Sequence, residues 1–206
     1  MVGAGGEGTD RSPAAGWLRV AGSARLADGR RLLWSVAEGV RGRRWRWAIA
    51  RGDAVGHAVL LETDPDGRPV RLEATSASGL LTLHPDPDFA ALHGNLVTTN
   101  GIEHLSLPWS AGHVIDVVDA FGPFVVVACR GMGLPVEGSL ELGGLGIDRF
   151  LRPTPGVVRL VRTAETAWSL VPGEPAGRRR APWSGTLTGD GLPRLPDGTC
   201  WPLELD

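Results

Sequence analysis

From Trp17 onward the chain is cut into runs of four to nine residues in which apolar and polar side chains alternate, with turn residues between them at regular spacing. A period of two sends successive side chains to opposite faces of an extended strand, so this rhythm reads as antiparallel β structure. Arg43-Arg44-Trp45-Arg46-Trp47-Ala48-Ile49 is the plainest case, with Trp45, Trp47 and Ile49 on one face and Arg44 and Arg46 on the other. Residues 54–62 and 69–75 flank an Asp64-Pro65-Asp66-Gly67 turn, and 79–84, 113–118, 123–130, 136–142, 157–162 and 166–171 continue the series. No stretch keeps a 3.6-residue apolar period through three turns, and 30 glycines and 16 prolines oppose long helices.

About ten to twelve strands in one domain must close on themselves or stack to hide their edges. The expected fold class is therefore all-β, an antiparallel meandering barrel or half-barrel, with a sandwich as the alternative. Residues 1–15 are glycine-rich with little to bury and are expected to be disordered; residues 16–206 form a single domain. Within that domain, 172–182 reads as a proline-rich loop beside the Arg178-Arg179-Arg180 run, and Pro196-Asp197-Gly198 as a turn before a last strand. Gly143-Gly144-Leu145-Gly146 lacks the strand-to-helix setting of a dinucleotide site, and 138–146 reads as a strand followed by a turn.

Four of the five histidines, His84, His93, His104 and His113, crowd around the strongest hairpin signal, Asn100-Gly101 between two alternating runs. With those two at the turn positions, Thr99 faces Ile102, Val97 faces His104 and Asn95 faces Ser106. One face then carries His93, Asn95, Val97, His104 and Ser106, and the other Leu96, Thr98, Glu103, Leu105 and Leu107. Two imidazoles, an amide and a hydroxyl on one side can orient polar atoms of a ligand or move a proton; the plain alternative is a wet outer face.

Further candidates lie outside that face. Asp116 alternates with Val114 and Val118, an apolar setting that would raise a carboxyl pKa, and Glu103 shares its face with leucines. Together with His104 they are the candidate catalytic groups. Trp45, Trp47 and Trp109 can form an aromatic wall for an apolar ligand, or simply a core. The histidine intervals match no compact zinc spacing, and His84-Pro85-Asp86 and Glu103-His104 depart from the cupin pattern, so no metal is expected.

Composition narrows the chemistry. There is no Lys, Gln or Tyr, which excludes Schiff-base lysines including that of pyridoxal phosphate, P-loop lysines and tyrosine acid–base catalysis; no cofactor is expected. A net charge of −2 gives no argument for nucleic acid as a partner. No apolar run reaches membrane-spanning length, no signal peptide is evident at the start, and the cytoplasm is the expected location. Cys129 and Cys200 read as buried thiols, with a disulfide left open.

Across residues 30–170 the strand order resembles the glycolipid-binding family and, more widely, lipocalin-like proteins. The likeness is carried by an early Arg/Trp strand with Gly42-Arg43-Arg44-Trp45, the 70–83 hairpin, Thr98-Thr99-Asn100 and Leu107-Pro108. The resemblance implies a barrel or half-barrel around an apolar cavity. The expected function is binding of a small apolar or amphipathic molecule, with Trp45, Trp47 and Trp109 as wall and His93, Asn95, His104 and Ser106 as polar anchors. A cofactor-independent cyclase, isomerase or hydratase using His104, Glu103 or Asp116 is the alternative, and a protein-interaction module the third. A homodimer is compatible with all three.

Overall fold

The alternation in the Trp-Arg-Trp segment becomes burial. In the strand Gly42–Arg51, Trp45 and Trp47 are 1% and 3% exposed while Arg44 and Arg46 face solvent. Burying one indole removes about 150–250 Å² from water, roughly 4–6 kcal/mol at 25 cal/mol per Å², so these rings decide which face turns inward. This is a computed structural model, and it describes residues 19–26, 28–117, 134–172, 183–187, 193–194 and 199–202.

The strands in chain order are β1 (Arg19–Arg25), β2 (Arg31–Gly39), β3 (Gly42–Arg51), β4 (Ala54–Thr63), β5 (Pro69–Ser76), β6 (Gly79–Pro85), β7 (Ala91–Thr98) and β8 (Gly101–Pro108). They continue as β9 (Val114–Val117), β10 (Ser139–Ile147), β11 (Pro153–Arg162), β12 (Ala167–Pro172), β13 (Trp183–Leu187), β14 (Pro193–Arg194) and β15 (Thr199–Pro202). Strands β1 to β8 form an antiparallel meander, and β15 returns to pair with β1, giving a nine-stranded sheet. A second sheet runs β14-β13-β12-β11-β10-β9. The expected all-β half-barrel is what forms, and among the described residues there is no helix.

One core joins the two sheets. The inward residues of the meander, including Trp34, Trp45, Trp47, Leu72, Leu81 and Leu92, pack with Ile115 and Val117 of β9 and Leu145 and Ile147 of β10. The other face of β9 and β10 belongs to a second cluster, where Val114 and Leu142 meet Val158, Leu160 and Trp168. These two strands therefore contribute apolar residues from both faces.

The structure corrects three expectations. The 138–146 segment has no turn; β10 runs through its glycines to Ile147. A Cβ on Gly143 would stand 2.5 Å from His113 Nε2, so the missing side chain makes room for the imidazole. Second, β9 pairs with β10 in parallel, Val114 opposite Gly144, where sequence rhythm implies antiparallel neighbours throughout. Third, the hairpin register differs: Thr98 pairs with Gly101, Val97 with Ile102, Asn95 with His104 and His93 with Ser106.

The turn positions are thus Thr99 and Asn100. Asn100 does not take a positive φ, while Gly101 has φ +123°, the pattern of a turn followed by a bulged glycine rather than a mirror-image turn. The Thr98 hydroxyl accepts a hydrogen bond from Asn100 N at 3.1 Å, which favours this local geometry. The change in pairing is by two residues, so parity is kept and each residue stays on its expected face. The readings of residues 1–15, 123–130, 173–182 and Cys129, and of the Cys200 side chain, lie outside what is described.

Candidate binding site

Inside and outside are assigned by burial, and they separate the candidate residues. Trp45, Trp47 and Trp109 are all in the main core. On β7, Leu92 and Leu96 also point there, which turns His93 and Asn95 outward together with His104 and Ser106 of β8. The aromatic wall and the polar anchors therefore lie on opposite faces of one sheet and do not converge on a common cavity. Burial of Leu92 and Leu96 dictates this, because an apolar face gains more from the core than a mixed one.

The outward polar groups pair among themselves. His104 Nδ1–H donates to Asn95 Oδ1 at 2.7 Å. His93 Nε2–H donates to Asp86 Oδ1 at 2.7 Å, and its ring centroid lies 6.5 Å from that of His84. His113 is apart from these, edge-on to Trp109 with centroids 5.1 Å apart. Desolvation there holds its imidazole pKa below the usual histidine value. The four histidines are thus three separate environments.

The two carboxylates do not meet. Asp116 is buried in β9, at 9% exposure, whereas Glu103 lies exposed on β8 and is paired with Arg152 at 3.4 Å. Among the described residues no group of three His, Cys, Asp or Glu side chains is placed to hold a metal ion. No helix there is long and apolar enough to cross a membrane.

A hollow of about 510 Å³ opens instead on the outward face of β2 to β5. Its outward lining is Leu33 and Ser35 from β2, Arg46 and Ala48 from β3, Ala58 and Leu60 from β4, and Glu73 and Thr75 from β5. The register explains its shape. Ala48 lies directly opposite Ala58 in the middle of the sheet, and Leu33 and Thr75 flank this pair on either side. Two one-carbon side chains between longer ones leave a trough.

The same register sets a polarity gradient across the face. In one row Leu33, Ala48, Ala58 and Thr75 are successive neighbours, and the row continues through Leu80 and Val97 to Ile102. The next row holds Ser35, Arg46, Leu60, Glu73, Thr82, Asn95 and His104. Beyond it Arg44 faces Glu62, with an ion pair at 2.6 Å, and Glu62 faces Arg71. Arg71 in turn pairs with Glu73, which holds its guanidinium pKa above the usual value. The face grades from apolar to charged over three rows.

Of the residues lining the hollow, Trp47 is expected in a ligand's aromatic wall and Arg46 lies opposite the tryptophan face; the others do not stand out in the sequence. A signal was present: Ala58-Val59-Leu60-Leu61 is apolar at inward and outward positions alike, against the strict alternation of a wet face.

No family model and no curated protein matches the chain. Among solved structures, it is similar to the crystal structure of a DUF1089 family protein from Pseudomonas aeruginosa, at 18% sequence identity and a TM-score of 0.50. The likeness covers 94% of this chain and 95% of that one. At that identity, what the two proteins share is the all-β architecture over nearly their whole length.

Proposed function

We propose that the protein binds a small amphipathic molecule, and that the site is the outward hollow of β2 to β5. The observation that carries this reading is the apolar trough of Ala48 and Ala58 beside a polar row containing Ser35 and Arg46. Apolar surface in a recess, with a few polar groups along one side, is the usual composition of a small-molecule site. The reading keeps the expected ligand class and moves its location from the barrel interior to the outer face. Acid–base catalysis has less support: His104 with Asn95, and His93 with Asp86, stand outside the lining of the hollow.

The test is calorimetric titration of the whole protein with decanol, using Ala58→Phe to fill the trough from the solvent side. The expected result is a loss of affinity of about tenfold or more, equivalent to roughly 1.4 kcal/mol. His104→Ala, away from the hollow, leaves binding unchanged. Wild-type affinity in Ala58→Phe would refute the site.

A further inference from the structure

Resting on that reading of the hollow, we infer that its ligand is a free single-chain anionic amphiphile, with its head group at Arg46 and its tail laid across the strands over Ala48 and Ala58. The charge pattern carries the head group. Arg44 is matched by Glu62 and Arg71 by Glu73, but among the described residues Arg46 makes no ion pair. The carboxylate in its own row, Glu73, lies beyond Leu60 and is engaged by Arg71. An exposed guanidinium therefore borders the hollow with its charge uncompensated, next to the Ser35 cross-strand position. The planar fork of arginine suits a carboxylate or a phosphate monoester, and a cationic head would be repelled.

The register carries the tail. Neighbouring strands lie about 4.8 Å apart, so the three steps from Leu33 through Ala48 and Ala58 to Thr75, all of which line the hollow, span roughly 14 Å. That matches the extended acyl chain of a bilayer lipid, which covers about half of a 30 Å hydrocarbon core. A tail along this row covers Leu33, Ala48 and Ala58, apolar side chains that are not fully buried. The trough ends at Leu33 and Thr75, the length of one chain, which suits a single monomer.

The experiment titrates the whole protein calorimetrically with decanoate, decanol and decyltrimethylammonium, each as monomer, in wild type, Arg46→Met, Arg46→Lys and Ala58→Phe. Decanoate is expected to bind about tenfold or more tightly than decyltrimethylammonium, the size of one charge-assisted hydrogen bond. Arg46→Met should remove that preference without changing decanol affinity, and Arg46→Lys should retain part of it. Equal binding of anion and cation, with Ala58→Phe weakening both, would overturn the anionic head group and leave the hollow as the site. If Ala58→Phe changes no affinity, the hollow itself fails and the inference with it. Binding confined to vesicles containing anionic lipid, with none to monomeric decanoate, would also overturn it.

Discussion

The centre of the large sheet and its β7–β8 hairpin follow the same alternation but present different surfaces to solvent. In the centre every outward residue has a strand on each side, so short residues such as Ala48 and Ala58 create a recess that Leu33 and Leu60 border. At the hairpin, β8 has a neighbour on one side only among the described residues, and its outward groups His104 and Ser106 are exposed. Polar side chains there keep an edge soluble and discourage pairing with other chains. The comparison teaches that a cluster of chemically versatile residues on an edge hairpin need not mark a site. Small apolar residues at outward positions in the middle of a sheet are the less conspicuous signal, and they are what shapes the hollow.

Three measurements bear on this contrast, beginning with the largest effect. Trp45→Ala removes a core indole beneath the central strands and is expected to destabilise by about 3–5 kcal/mol in urea unfolding. A change within about 0.5 kcal/mol, the range of a surface substitution, would reverse the assignment of inner and outer faces. Gly101→Ala tests the hairpin. Nothing lies within 4 Å of the added Cβ, so its cost comes from the backbone conformation alone, about 1–3 kcal/mol. No loss of stability would mean that Gly101 does not hold a positive φ.

The smallest effect concerns His113, which joins the hairpin's end to the core through Trp109. Burial lowers its pKa, so folding favours the neutral ring. Its contribution is present above the unfolded value of about 6.5 and is lost as pH falls through the depressed folded value. The urea midpoint of wild type should therefore fall more than that of His113→Phe between about pH 8 and pH 5. Parallel pH profiles would remove His113 from the account of the core.

Strand parity was legible in the chain itself. Trp45, Trp47 and Ile49 share a face, as do His93, Asn95, His104 and Ser106, and a two-residue change in hairpin register left those memberships intact. The turn position was not legible, because Asn100-Gly101 suits two geometries and the Thr98 hydroxyl favours the other one. Nor was the path of β10, whose glycines look like a turn until His113 is found packed where a Cβ would lie.

Periodicity sorts residues onto two faces but does not say which one is inside. That choice was made by packing between elements distant in sequence: Ile115, Val117, Leu145 and Ile147 close over the leucine and tryptophan face of the meander. Once that face is buried, His93 and His104 must point outward. Arg46, Ala48 and Ala58 become neighbours across β3 and β4 only through cross-strand pairing. Local sequence determined the strands and their faces, because side-chain alternation is a property of single strands. The hollow belongs to the tertiary structure, because it exists only between strands.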